Sequence, residues 1–387
     1  MYKILCVNKI SPTGTKRFGE NYTFSEGMEN PDGILVRSAS MHDAEFGGNL
    51  QAIARAGAGV NNIPVEKCTE NGIVVFNTPG ANANAVKEMV IASLFLTSRK
   101  VISAIDWVKT LKGKGDEVGS LVEKGKGQFV GPEIKGKSLG VVGLGAIGIL
   151  VANAAKSLGM TVYGYDPYLS VNSAWSLSHS VHHSMTLDEI YAGSDYITLH
   201  LPLTKDTENL ISSETIAKMR DGVRILNFAR GDLVNSADLL TALAEGKVSS
   251  YATDFPDDSL IGVENVIAIP HLGASTPESE DNCAEMAVDQ IKEFLEYGNI
   301  KNSVNMPEIS MLRDAGTRIC IIHKNVPNTI SHLTSVCGDA SLNIENMLSK
   351  SRGDYAYTIL DVSGKVTDAA VDMISKLAEI VRVRVIY

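Results

Sequence analysis

Residues 137–166, KSLGVVGLGAIGILVANAAKSLGMTVYGYD, read as a strand, a glycine turn, a helix and a second strand. The apolar run ending at Val142 meets Gly143, Gly145 and Gly148 in GxGxxG spacing, and Asp166 closes the next strand. In such a turn the first glycine permits the tight bend and the second lets backbone approach a pyrophosphate. The third lets helix pack on strand, while the helix N-terminus supplies N–H groups and positive potential. The segment therefore predicts a dinucleotide site. Asp166 would accept hydrogen bonds from ribose hydroxyls and repel a 2'-phosphate, which favours NAD over NADP.

Downstream, the runs 194–203 (SDYITLHLPL), 222–234 (GVRILNFARGDLV), 247–255 (KVSSYATDF) and 265–271 (NVIAIPH) end in Gly, Pro, Asn or Asp. Together with the opening pair they predict six strands of one doubly wound α/β domain that begins near residue 137. Upstream, residues 3–7, 33–37, 51–57 and 72–79 alternate with helical stretches, the last followed by the apolar-periodic VKEMVIASLFLTSRKV (86–101). That alternation predicts a second parallel sheet with crossover helices in the first third of the chain. Residues 109–137, rich in Gly, Lys and Glu, lack sustained periodicity and read as a surface excursion. NIKNSVNMPEIS (299–310) holds little that could build a core, so a hinge and a linker over 306–317 are expected. The tail, residues 318–387, reads as a βαββαβ unit of the ferredoxin-like kind.

With 387 residues, 44% of them hydrophobic and 21% charged, the chain suits two or three folded domains. Its net charge of −10 argues against a general nucleic-acid or anionic-membrane surface. The opening MYKILCVN lacks the long apolar segment of a signal peptide, which leads to the expectation of a cytoplasmic protein. Five cysteines without CxxC spacing read as reduced, buried thiols. The adjacent pair His182 and His183 reads as exposed loop, since neighbours on a strand or helix rarely point at one metal ion.

Three strand ends carry polar groups on the edge where open α/β sheets bind ligands: Arg230, the acids Asp254, Asp257 and Asp258, and His271. A guanidinium can grip a carboxylate with two hydrogen bonds. An imidazole can exchange a proton with a hydroxyl oxygen while hydride moves at the same carbon, and a carboxylate can orient the ring. The catalytic set on this reading is Arg230 and His271, with Asp258 as the histidine's partner and Asp257 one step away.

GLGAIG (143–148), NFARGDLV (227–234) and PHLGAST (270–276) resemble the signatures of the D-isomer-specific 2-hydroxyacid dehydrogenases. The resemblance covers roughly residues 1–305. It implies a Rossmann-type NAD domain, residues 98–274, inserted in a flavodoxin-like substrate domain of residues 1–97 and 275–305, with the active site in the cleft between them and Ala146 and Ile147 at the pyrophosphate turn. It also implies that Phe228, Ala229, Arg230 and Asp254 approach the cofactor and that His271, Leu272, Gly273 and Ala274 lie beside the nicotinamide. By the same likeness His200 and Pro202 shape the loop over the adenine. The family shows a Glu-Pro pair where this chain has DFPDD (254–258), so a shorter acid must stand for the glutamate.

The tail resembles the ACT domain that ends many D-3-phosphoglycerate dehydrogenases, where it binds L-serine. His323, Asn325 and Asn343 match the serine ligands of those proteins, while Asn328 stands where a glycine is common. Arg37, Ser38, Gly59, Val60 and Asn61 resemble the substrate loops, and Arg37, aided by Lys87, could meet a phosphate. These likenesses imply a phosphorylated hydroxy acid as substrate, oxidised to its 2-oxo acid, and a homodimer or homotetramer. Another D-2-hydroxy acid (glycerate, lactate or 2-hydroxyglutarate), or a non-catalytic NAD-sensing scaffold, stays open at this point.

Overall fold

The computed structural model describes residues 1–313 and 316–387. Two compact units emerge, one of residues 1–82 with 277–387, the other of residues 83–276.

The first unit opens with five parallel strands: β1 (Tyr2–Val7), β2 (Tyr22–Ser25), β3 (Gly33–Val36), β4 (Ala52–Arg55) and β5 (Val74–Phe76). Their spatial order is β2-β1-β3-β4-β5, the flavodoxin-like winding expected. The second unit is built on seven parallel strands: β6 (Ser138–Val142), β7 (Thr161–Tyr165), β8 (His182–His183), β9 (Tyr196–Leu199), β10 (Val223–Asn227), β11 (Val248–Thr253) and β12 (Val266–Ala268). Their order, β12-β11-β10-β9-β6-β7-β8, reverses between β6 and β9. Every residue of β6 and β9 is buried, because helices cover both faces of a parallel sheet and alternation gives way to continuous apolar runs. The pair His182 and His183 forms a short exposed edge strand beside β7, not a loop.

The tail folds as four antiparallel strands, β13 (Thr317–Lys324), β14 (Asn343–Arg352), β15 (Tyr355–Ser363) and β16 (Ile380–Ile386), ordered β14-β15-β13-β16. Alternate residues of β13 serve two cores, as the pleat requires. Ile319 and Ile321 pack with Leu333 and Ile374 of the two tail helices. Cys320 and Ile322 join Ile4, Phe76, Ile291 and Phe294 in the core around β1 and β5.

Three expectations change. The boundary falls at Ala83, not at residue 98, because the helix Ala83–Arg99 buries Val86, Val90 and Leu94 against Val151, Ala152 and Ala155 of the second unit. Residues 109–137 are not featureless: a helix spans Val118–Gly125, flanked by 3-10 turns, and Trp107 packs on Phe129 with ring centres 5.4 Å apart. Part of the segment expected to hold a hinge and linker is core. Ile300 and Ile309 exchange backbone hydrogen bonds, and Ile300, Met306 and Ile309 are all at most 1% exposed. Few apolar residues lie there, but each one is spent on an existing core. Residues 314–315 of the expected linker lie outside the described residues.

All five cysteines are buried free thiols, and burial pushes those of Cys6 and Cys68 up to about 11. Among the described residues no helix is long and apolar enough to cross a membrane.

Candidate active site

Beyond β6 the backbone of Gly143 takes φ +93°, and a Cβ there would stand 2.6 Å from the carbonyl oxygen of His200. A Cβ on Gly148 would stand 1.9 Å from the carbonyl oxygen of Gly143, so the helix could not sit this close to the strand end. A Cβ on Gly145 would meet nothing within 4 Å. The turn is thus closed by two glycines and open at the third. There the helix Ala146–Ser157 begins with no side-chain cap, and its first N–H groups are left for an anion. Asp166, just past β7, accepts from the Leu144 N–H at 2.8 Å and from the Tyr168 N–H at 2.8 Å. It braces the turn as well as marking the ribose position. These residues fit the dinucleotide: a cradle open where the pyrophosphate would lie and an acid at the neighbouring strand end, all at the point where the strand order reverses. Asp166→Arg is expected to weaken NAD binding at least about tenfold while raising NADP binding, read from the two dissociation constants; unchanged NAD preference would refute the assignment.

His200 follows β9, with Nε2 3.0 Å from Thr198 Oγ1, and burial pushes its imidazole down to about 3, so the ring is neutral. Its Nδ1 is buried without a partner among the described residues.

The chemistry gathers on the carboxyl edge of the same sheet. Asn227, fully buried at the end of β10, donates to the Arg230 carbonyl oxygen at 2.8 Å and accepts from the Ala229 N–H at 3.2 Å. It fixes the loop Phe228–Arg230, a role that the sequence reading missed although a strand-end Asn was its signal. Asp254, 2% exposed, accepts from the Gly273 N–H at 2.9 Å and so ties the loop after β11 to the one after β12. Burial raises its carboxyl above the usual range, while the Gly273 N–H and the charges of His271 and Arg230 pull it back. Its second oxygen, Oδ1, is buried without a partner among the described residues.

Phe255 joins the two expected catalytic groups. The His271 ring packs on it with centres 4.5 Å apart, and the Arg230 guanidinium carbon lies 6.0 Å from the Phe255 centroid. Arg230 and His271 are both exposed, as groups meeting a substrate must be. Asp257 caps the 3-10 turn Asp258–Leu260, accepting from the Ser259 N–H at 2.8 Å and from the Ser236 hydroxyl. Those bonds hold its carboxyl below the usual range. Asp258 opens that turn, and among the described residues neither acid hydrogen bonds to His271. The structure therefore brings Arg230, Asp254 and His271 together, and among the described residues no hydrogen bond or ion pair links His271 to Asp258.

In the first unit Arg37 follows β3 and pairs with Glu280 at 2.6 Å, so its charge is not free. The N–H groups of Ser38 and Ala39 donate to Asn8 Oδ1, and His42 Nε2 meets the Asn61 carbonyl oxygen at 2.9 Å. Arg55, absent from the sequence reading, donates to the carbonyl oxygens of Arg37 and Gly59 and so ties the two loops of Arg37–Ser38 and Gly59–Asn61. Lys87 sits beside Glu88 at 3.6 Å.

In the tail, His323 is 3% exposed, its ring held by Thr358 Oγ1 at 2.8 Å and the Lys324 carbonyl oxygen at 2.9 Å. Asn325 donates to the Gly353 carbonyl oxygen and Asn343 to Glu345. His323 faces Ala356 across the ladder, whereas Asn343 faces Ser363, at the other end of β15. At 3.3 Å per residue that separation is about 23 Å, so one chain does not bring the three together.

Residues 91–273 match the family described as D-isomer specific 2-hydroxyacid dehydrogenase, NAD binding domain. The D-3-phosphoglycerate dehydrogenase of Bacillus subtilis (strain 168) is 32% identical over 374 residues, 90% of this chain and 68% of the relative. That of Archaeoglobus fulgidus is 37% identical over 288 residues, 72% of this chain and 52% of the relative. The chain thus spans about two thirds of the first relative's length and about half of the second's. A crystal structure of NAD+-bound 3-phosphoglycerate dehydrogenase from Entamoeba histolytica matches with a TM-score of 0.60 at 28% identity, over 79% of this chain and 98% of that one. With a polar strand edge and a glycine turn on one sheet and relatives of this kind along most of its length, the chain belongs to the D-isomer-specific 2-hydroxyacid dehydrogenases, NAD-dependent oxidoreductases that include the D-3-phosphoglycerate dehydrogenases.

Proposed function

We propose that the protein oxidises D-3-phosphoglycerate to 3-phosphohydroxypyruvate, a step toward L-serine. The observation that carries this reading is the flanking of Phe255 by Arg230 and His271, next to Asp254 and on the sheet that bears the glycine turn. NAD, when bound, accepts the hydride that leaves carbon 2. Gly143–Gly148 and Asp166 would hold its adenosine diphosphate part, and the unpaired Asp254 Oδ1 would accept from its carboxamide. Phe228, Ala229, Leu272, Gly273 and Ala274 would wall the nicotinamide end. Arg230 grips the substrate carboxylate in a fork of two hydrogen bonds. His271 Nε2 or Nδ1 takes the hydroxyl proton as the carbonyl forms, and gives it back in reduction. Asp258 is assigned as the acid that steadies the imidazolium, through a shift of its turn toward the ring. Arg37, Ser38, Gly59, Val60 and Asn61 are assigned to the phosphate end.

The deciding measurement is NADH oxidation with 3-phosphohydroxypyruvate against hydroxypyruvate, pyruvate and 2-oxoglutarate. A site built for phosphate should favour the phosphorylated acid by about a hundredfold or more in kcat/KM. The pairing of Arg37 with Glu280 favours a second reading, an unphosphorylated D-2-hydroxy acid, and a preference for one of the other three acids would establish it. For the histidine's partner, Asp258→Asn is expected to move the pH profile of kcat/KM while Asp257→Asn leaves it in place; the reverse pattern would exchange their roles.

The protein is further assigned as a homo-oligomer. The helix Val101–Lys109 buries none of its residues and exposes Val101, Ile102, Ile105 and Val108. A second copy is the natural cover for such an apolar face. Ile105→Glu is expected to halve the sedimenting mass without loss of helix content. In the tail, β14 is an outer strand, and pairing it antiparallel with its equivalent would carry Asn343 of one copy toward His323 and Asn325 of the other. L-Serine is proposed to bind there as an effector; NADH oxidation repeated with added L-serine tests it. The free thiols suit a reducing compartment, the cytoplasm.

A further inference from the structure

We propose that the first unit holds a separate binding site for an extended aliphatic di- or polyamine. A cavity of about 760 Å³ lies between one face of the helix Pro277–Tyr297, the turn at Gly80 and Ala81, and residues 299–310. Glu285, Asp289 and Glu293 line it at intervals of four residues, and Glu308 adds a fourth carboxylate from the returning segment. At 1.5 Å of rise per residue, the row from Glu285 to Glu293 runs about 12 Å. Arg17 answers part of this charge, holding Asp289 at 2.7 Å and Glu285 at 3.7 Å. Glu293 accepts only from the neutral Asn299 amide, at 2.6 Å, and Glu308 forms no ion pair among the described residues. Lys301 is the one cation of the lining, so with Arg17 counted the site still carries an excess of negative charge.

The second observation is Gln290. It lines the cavity, is 5% exposed, and both polar atoms of its amide lack a partner among the described residues. A buried amide left unpaired is destabilising, and a chain that keeps one at the wall of an acidic cavity keeps it for a ligand that brings donors. With its side chain turned into the cavity, the Gln290 carbonyl oxygen accepts one ammonium N–H, Glu293 and Glu308 take the charge, and Met286 covers methylenes. A bare metal ion does not fit, because among the described residues no three acids or other ligating groups converge closely enough to hold one. An anion is repelled. The row of carboxylates instead matches cations spaced along a flexible apolar chain. This inference is independent of the reaction proposed above, since none of these residues belongs to the catalytic edge.

The experiment is calorimetric titration of the full chain with spermidine, with octanediol and Mg²⁺ as controls. Saturable binding of one spermidine per chain is expected, with no saturable heat from octanediol and weaker binding of Mg²⁺. The double variant Glu293→Gln/Glu308→Gln should bind spermidine about tenfold more weakly or worse. Gln290→Leu, which removes the unpaired amide, should bind more weakly while melting no lower than the parent. Absence of saturable spermidine binding, equal affinity in the double variant, or equal affinity for Mg²⁺ would each overturn the proposal. Should the double variant fail to fold by circular dichroism, Gln290→Leu carries the same decision: unchanged spermidine affinity in it refutes the site.

Discussion

Turnover of 3-phosphohydroxypyruvate by His271→Ala is expected to fall about 100- to 10,000-fold in kcat, the range that a positioned general acid or base supplies. The ring is exposed and packs on Phe255, so its loss leaves no cavity in the core and the fold should hold. The dinucleotide turn, Gly143 to Gly148, is built from backbone and does not involve His271. NADH affinity, read by fluorescence titration, should therefore stay within about threefold of the parent, the scatter normal for a surface substitution. A drop in kcat with NADH binding retained separates proton transfer from cofactor binding. Undiminished turnover at saturating substrate would remove His271 from the mechanism.

The largest stability effect is expected at Arg318, a charged side chain with no exposure at all. Its guanidinium makes two hydrogen bonds to Asp361, at 2.7 and 2.8 Å, and donates to the carbonyl oxygens of Tyr297, Met311 and Leu312. The Tyr297 carbonyl ends the long helix and has no intrahelical partner of its own. Arg318→Ala would leave the Asp361 carboxylate buried and unpaired and three carbonyls without donors. A loss of about 3–5 kcal/mol is expected, read from the urea midpoint at unchanged slope. The double variant Arg318→Met/Asp361→Leu should recover much of that loss, because an apolar pair of similar volume needs no desolvation repaid. A single-variant loss below about 1 kcal/mol would show that the pair is solvated in solution.

Both large parallel sheets could be read from the chain because they are locally encoded. Continuous apolar runs such as Tyr196–Leu199 end at breakers, and GxGxxG with Asp166 fixes one turn in absolute register. Arg230 and His271 were legible for the same reason, each standing just past a strand. What escaped is set by packing across the chain. The helix Ala83–Arg99 carries the same pattern whichever sheet it covers, and only its burial against Val151 and Ala155 assigns it. Residues 109–137 hide short helices because glycines interrupt a face that is largely exposed. The segment around Met306 looked poor in apolar residues, yet a core needs only the few that point inward. Arg55 sits inside a strand run and shows its role only through the Arg37 and Gly59 carbonyls. The distance between His323 and Asn343 follows from a ladder register that sets them against opposite ends of β15, something no local pattern contains.

The two-faced tail sheet has an evolutionary corollary. A regulatory module joined by a tether can be gained or discarded by a single recombination event, since its removal bares nothing greasy. Here Cys320, Ile322, Tyr357 and Ile359 roof over Phe294, Leu295 and Ile300, and Tyr357 donates to the Gly298 carbonyl oxygen at 2.7 Å. Cutting the gene before β13 would turn that roofed patch into an adhesive surface. A lineage that sheds this tail must first repaint the helix beneath it with polar side chains.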